Sequence, residues 1–229
     1  AQRVAHDLKN PLGTIQMILQ KLRTLVTKEN QEVQAALFPY FDKIESRIES
    51  LRKMTRNFLK FVNIEAPHFI VINLNDFLQR TLDTITAALP PDIQLRREIS
   101  DEVTGVEIDV EQMASVLENL IANAIDAMPK GGDITVSLRV AQRLQFIGYD
   151  DRPRDYALIE VRDTGVGMPA DVLDHLFEPH FSYSKESSGL GLAMVKKIID
   201  DHRGQTEVES EVDVGTLFTL YLPIRISMP

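Results

Sequence analysis

The sequence predicts an α+β protein: a helical hairpin that pairs with a second copy into a dimeric four-helix bundle, followed by an α/β sandwich with helices on one face. Three observations carry this. Apolar residues recur on a heptad through residues 1–64. After Ala66-Pro67 that period gives way to strands mixed with helices. Charge segregates at the same place: residues 1–66 hold 11 Lys and Arg against 7 Asp and Glu, a balance of +4, while 67–229 hold 14 against 27, a balance of −13. The expected domains are therefore 1–66 and 67–229.

The hairpin rests on two apolar series. Leu8, Leu12, Ile15, Leu19, Leu22 and Val26 form the first; Phe41, Ile44, Ile48, Leu51, Thr55, Phe58 and Val62 form the second, with Thr55 the one polar position. A repeat of about 3.5 residues makes a narrow seam of the coiled-coil and four-helix type. The polar stretch Thr27–Gln31 reads as the turn. One hairpin holds too little core to stand alone. A homodimer supplies the missing core; the alternative is a hairpin packed on its own downstream domain.

Beyond Pro67 the elements follow in order. Phe69–Ile72 reads as a strand, and Asn73 or Asn75 caps a helix to about Ala88, where Pro90-Pro91 breaks it. Ile93–Ile99 alternates as a strand. A second strand spans about Val103–Ile108, and a helix runs Val110–Met128. Lys130-Gly131-Gly132-Asp133 is a turn, Ile134–Val140 alternates again, and Ala157–Val161 is a further strand. Residues 141–156 read as a long exposed hairpin loop. The last helix runs from about Leu190 to His202, and Thr206–Ser210 with Thr216–Leu222 close the fold as paired strands.

Composition narrows the function. The chain has 229 residues, 44 % hydrophobic and 26 % charged, which is globular. It contains no cysteine, which excludes disulfides, cysteine-zinc sites, iron–sulfur clusters and a thiol nucleophile. No apolar run is long enough to span a bilayer. The acidic larger part argues against general nucleic-acid binding, since phosphate contact needs a basic surface. The opening residues AQRVAHDLKN lack an initiator Met and read as helical, so the chain is expected to begin inside a helix of a longer protein.

Three short boxes lie in the larger part. Asn119 and Asn123 are four apart on one helix, so their carboxamides share a face and can meet a hydrated Mg²⁺ or phosphate oxygens. Asp163-Thr164-Gly165-Val166-Gly167-Met168 follows a strand; its glycines admit close backbone approach, and Asp163 can accept from an exocyclic amine. Gly189-Leu190-Gly191-Leu192 opens the last helix, whose free N–H groups suit a phosphate. Each box alone has a bland reading, as polar surface or as a turn.

Their order and spacing together are specific. The sequence resembles a bacterial sensor histidine kinase, with Asn119–Met128 as the asparagine box, Asp163–Met168 and Gly189–Leu192 as the two glycine boxes, and Leu176–Phe181 as the phenylalanine box. Gly215-Thr216 matches the terminal glycine pair and His6-Asp7-Leu8-Lys9-Asn10-Pro11 the phosphoacceptor box. The histidine box and Asp126-Ala127-Met128 resemble the nitrogen-regulation type. The resemblance covers nearly the whole chain and implies an ATP-binding domain of the gyrase, histidine kinase and mismatch-repair type.

It implies these roles. Asp163 meets the adenine amine, Asn123 ligates Mg²⁺ with Asn119 near the phosphates, and Gly165, Gly167, Gly189 and Gly191 shape the pocket and a lid over about 169–188. Lys185 is the lid cation for the β- and γ-phosphates, with Lys130 competing. Where gyrase-type ATPases carry a water-activating Glu, this chain has Asn119, and an amide is no general base. Two departures are Asp126, where many members carry Lys or Arg, and Ser187, where an earlier Gly is common.

His6 lies off the heptad seam. Pro11 withholds a hydrogen bond from the carbonyl of Asp7 and bends the helix beside His6. A neutral imidazole has one nitrogen free to attack, and Asp7 can orient the other. The resemblance implies transfer of the ATP γ-phosphoryl to His6 and then to an Asp of a response-regulator receiver domain. Asp7 and Asn10 also match a phosphatase pattern in which Asn10 orients water. It further implies a sensor module upstream, a cytoplasmic setting, and any membrane anchor in that upstream part. The rival readings are a non-catalytic dimer scaffold with a degenerate nucleotide domain, and a Ser/Thr kinase or ATPase.

Overall fold

A computed structural model describes residues 15, 17–27, 31–62, 66–100, 105–144, 154–179, 181 and 189–224. The chain divides into two compact units, 1–65 with 180–190, and 66–179 with 191–229. His6, Asp7, Asn10 and Lys185 lie outside the described residues.

The first unit is the hairpin. Helix α1 covers residues 17–26 and helix α2 covers Gln31–Val62. The Gln34 side-chain amide donates to the Thr27 carbonyl at 3.0 Å, closing the C-terminus of α1 over the turn. Leu19 and Ile48 are buried against each other with Phe41 beside them, as the heptad requires. Arg23 crosses from α1 to α2, reaching Asp42 and Glu45 at 3.1 Å each and lying over the Phe38 ring. Helix α2 continues through Pro39, which costs it one internal hydrogen bond. Four further seam residues face solvent in the single chain: Ile15, Leu22, Ile44 and Leu51 are each more than two-fifths exposed.

The second unit is a mixed sheet backed by helices. Its elements are β1 (Ile70–Ile72), α3 (Leu74–Thr86), β2 (Ile93–Ile99), β3 (Val106–Ile108), α4 (Val110–Asp126), β4 (Gly132–Leu144), β5 (Arg154–Asp163), α5 (Ala170–Leu173), α6 (Gly191–Asp201), β6 (Gln205–Glu211) and β7 (Gly215–Pro223). Asn73 caps α3 by accepting from the N–H groups of Asn75 and Asp76.

Five strands form the main sheet in the order β2-β4-β5-β7-β6. The last four pair antiparallel, but β2 and β4 run parallel, with β3 and α4 as the crossover. Ile134, Val136 and Leu138 of β4 lie opposite Asp163, Val161 and Ile159 of β5. Those β5 residues lie opposite Thr216, Phe218 and Leu220 of β7, and all nine are buried. Helices α4 and α6 pack on each other and on this face. The opposite face carries polar pairs beside the buried Tyr156 and Leu158: Glu160 accepts from Ser137 and pairs with Arg139, and the Tyr221 hydroxyl donates to Glu207 at 2.6 Å.

Three sequence expectations need correction. Of the strand expected at about Val103–Ile108, the described part is β3, which lies outside the main sheet and pairs with β1. The long loop at 141–156 is shorter, because β4 runs to Leu144 and β5 starts at Arg154; Ala141↔Tyr156 and Leu144↔Arg154 continue the ladder past a register shift. The short helix α5 was not foreseen, since four residues give no period to read.

Candidate functional site

The predicted boxes of the second unit lie along α4: the loop after β5 meets Ala127 at its C-terminal end, and the N-terminus of α6 meets Asn119 in its middle. Asp163 ends β5 and is only 6 % exposed. Its Oδ1 accepts from the Gly165 N–H at 2.8 Å. Burial raises its pKa, and hydrogen bonds from the backbone of Gly165 and Thr216 work against that rise. A nearly buried carboxylate held by backbone amides is a fixed acceptor for a flat ligand's N–H donor.

The loop after Asp163 is pinned on two sides. The Val166 N–H donates to the Ala127 carbonyl at 3.1 Å, tying the loop to the end of α4. The Met168 N–H donates to Ser210 Oγ at 2.8 Å, and the Asp213 N–H donates to the Val166 carbonyl at 2.8 Å, tying it to the β6–β7 hairpin. Gly167 has φ +62°, and a β-carbon there would fall 2.0 Å from the Glu211 carbonyl oxygen, so only glycine fits. Ser210 Oγ also donates to the Gly215 carbonyl and lies 3.0 Å from Thr216 Oγ1. No local pattern in the sequence marks Ser210. Its strand position, facing inward beside the loop, shows only in the pairing.

Asn119 and Asn123 share one face of α4 as their spacing predicts. The Asn119 amide donates to the Ser115 carbonyl at 2.6 Å, which turns its Oδ1 toward the start of α6. Asn123 Nδ2 is buried and has no hydrogen-bond partner among the described residues. Carboxamide ends interchange by rotation about the terminal bond, so this group offers either a donor to phosphate or an oxygen to a cation. The orphaned amide fits Mg²⁺, which takes oxygen ligands, keeps several waters and commonly binds through few protein groups plus substrate phosphates. No cluster of three or more His, Cys, Asp or Glu able to hold a metal occurs among the described residues. Glu118, next in sequence to Asn119, is exposed. Gly189 has φ +63° and precedes the free N–H groups of α6.

The site therefore joins a fixed carboxylate acceptor, two amides and a helix N-terminus within the second unit. That set suits a purine nucleotide with its phosphates directed at α6.

Comparisons with known proteins show the family. The chain belongs to the family of histidine kinase-, DNA gyrase B- and HSP90-like ATPases, whose model matches residues 90–226. The model of the His Kinase A (phospho-acceptor) domain matches residues 1–67. Sporulation kinase E of Bacillus subtilis is 30 % identical over 226 residues, covering 98 % of this chain and 28 % of that protein. The sensory histidine kinase/phosphatase NtrB of Salmonella typhimurium is 32 % identical over 224 residues, covering 97 % of this chain and 61 % of that protein. The solved catalytic domain of histidine kinase ThkA superposes with a TM-score of 0.56 at 26 % identity, covering 69 % of this chain and 98 % of that one. The chain thus spans only part of the curated relatives it matches. No described helix is long and apolar enough to cross a membrane.

His202 follows α6, where a helix C-terminus mildly favours positive charge, but it is 3 % exposed and burial lowers its pKa.

Proposed function

We propose that this chain is the kinase portion of a two-component sensor: an ATP-dependent protein-histidine kinase that phosphorylates itself on His6 and passes the phosphoryl group to an Asp of a response-regulator receiver domain. The observation that carries this is the joining, in one chain, of a phosphoacceptor-domain match over residues 1–67 to an ATPase-family match over residues 90–226.

In this reading Asp163 accepts from the adenine amine and selects adenine over bases that present a carbonyl there. Asn119 and the first N–H groups of α6 hold the phosphates, and Lys185 closes on the β- and γ-phosphates from the lid. Asn123 would hold Mg²⁺, which when bound neutralises charge on the phosphoryl oxygens. Asn119 offers no general base to water, so the γ-phosphoryl is kept for the imidazole. The bare nitrogen of His6 forms the N–P bond as the bond from the γ-phosphorus to the β–γ bridging oxygen breaks, and ADP leaves. Asp7 orients His6 by accepting from its other ring nitrogen and takes that proton as the ring becomes phosphorylated. Asn10 places water on the phosphorylated receiver, whose aspartyl phosphate is hydrolysed to Asp and inorganic phosphate, and a phosphatase activity also stands in the name of NtrB. The half-exposed seam of the hairpin supports a homodimer. The basic first unit suits a receiver whose phosphorylation pocket is acidic, and the protein works in the cytoplasm.

The test is incubation with γ-labelled Mg·ATP, comparing the wild type with His6→Gln. The expected label is acid-labile and base-stable and is absent from His6→Gln. An acid-stable label, or equal labelling of the variant, overturns the assignment.

A further inference from the structure

His202 joins three segments away from the nucleotide-site residues: the start of α4, the end of α6 and Phe69. The Asp109 N–H donates to His202 Nε2 at 2.9 Å, and His202 Nδ1 lies 2.7 Å from the Ile198 carbonyl oxygen. An amide N–H can only donate and a carbonyl can only accept, so Nε2 is bare and Nδ1 carries the hydrogen. The ring is held as one neutral tautomer. The edge of Phe69 packs against it, ring centroids 5.0 Å apart.

Asp109 in turn serves two masters with its carboxylate. Oδ1 accepts from the Gln112 N–H at 3.0 Å and so caps α4. Oδ2 accepts from the His68 N–H at 2.7 Å and so fastens the segment that leads in from the first unit. Burial raises the pKa of this carboxyl, but the N–H groups of Gln112, His68 and Glu111 and the nearby His202 outweigh it, and the net shift is downward. Ten residues on, about 15 Å along the helix, α4 presents Asn119 to Gly191 at the other end of α6. Helix α6 is thus joined to α4 at both of its own ends, by Asn119 in the middle of α4 at its start and by His202 and Asp109 at its finish.

We propose that His202 is a positioning residue which, through Asp109, gives the segment 66–69 and the nucleotide site a common buried support, so that releasing one loosens the other. The inference rests on the nucleotide-binding reading above. A ligand that prefers the fastened state stabilises every hydrogen bond belonging to it, and the coupling is reciprocal. Nucleotide binding should therefore slow exchange of the His68 amide, and loss of the His202 acceptor should weaken nucleotide binding.

The experiment uses the whole 229-residue chain and a non-hydrolysable Mg·ATP analogue. It measures affinity by titration and amide exchange of the peptide containing His68 and Phe69, for wild type, His202→Ala and His202→Gln. Losing one net hydrogen bond corresponds to about 2–10-fold, so His202→Ala should bind the analogue several-fold more weakly and exchange His68 about as much faster. In His202→Gln, Oε1 stands near the place of Nε2 and accepts from Asp109, so both values should return to within about twofold of wild type. Unchanged affinity in His202→Ala overturns the proposal even where exchange quickens, because the linker would then be held independently. Failure of Gln to restore either value, at a thermal midpoint equal to wild type, overturns it as well. Should His202→Ala not fold, Asp109→Asn takes its place: the carboxamide keeps one oxygen for Gln112 and turns an NH₂ toward the His68 N–H. Faster exchange with weaker binding supports the coupling, and either change alone overturns it. A wild-type chain that does not bind the analogue overturns the nucleotide reading itself, a result distinct from all of these.

Discussion

A β-carbon placed on Gly191 would stand 2.9 Å from Oδ1 of Asn119, so the last helix begins in contact with the asparagine face of α4. The contacted atom is the end of a side chain, not backbone, which separates function from stability at this position. Gly191→Ala should fold with a thermal midpoint close to wild type, because Asn119 can swing aside. It should bind Mg·ATP at least several-fold more weakly, because Asn119 has then left its place. Equal affinity in a titration would remove Asn119 from the site.

Gly167 gives the opposite expectation. Its φ of +62° and the 2.0 Å approach to the Glu211 carbonyl leave no room to move. Gly167→Ala should lose about 1–3 kcal/mol of stability, measured by urea denaturation, and nucleotide binding should fall with it.

Asn123→Asp and Asp163→Asn should each abolish autophosphorylation and leave the dimer intact, since neither residue belongs to the hairpin. Sedimentation checks the second half of this statement and labelling the first. Normal labelling in both variants would sink the nucleotide-site assignment.

Leu51 and Ile48 separate the hairpin from its partner. Ile48 is buried within the single chain, whereas Leu51 is 48 % exposed on the same seam. Leu51→Glu should convert dimer to monomer in sedimentation while helicity survives. Ile48→Glu buries an unpaired charge beside Leu19 and Phe41 and should unfold the hairpin outright. A Leu51→Glu protein that stays dimeric places the interface elsewhere.

His202 predicts a pH dependence of stability. Its folded pKa lies below the ordinary 6.5, chiefly through burial, with the Ile198 carbonyl, Asp109 and Asp201 opposing. The unfolded chain therefore binds the proton first. The stabilisation is fully present above about pH 6.5 and is lost as pH falls through the folded value. Urea midpoints of wild type should drop between neutral and mildly acidic pH more steeply than those of His202→Gln, which has no proton to gain. Parallel curves would show that His202 does not titrate on unfolding.

The hairpin, the change of period at Ala66-Pro67 and most element boundaries are legible in the chain alone, because heptads, caps and alternating strands are local patterns. Asn73 as a cap and the Asn119–Asn123 face are legible from spacing alone. The boxes were legible too, through resemblance, although no single one was decisive. Tertiary structure alone decided that β2 joins β4 in parallel and that β3 leaves the main sheet for β1, because strand pairing depends on contacts far apart in the chain. It alone brought Ser210 to the Met168 amide and Gly191 to Asn119. His202 marks the boundary between the two kinds of knowledge. A histidine at a helix end reads locally as a favoured cation, but Asp109 stands 93 residues away, and the amide it presents to Nε2 allows only the neutral ring.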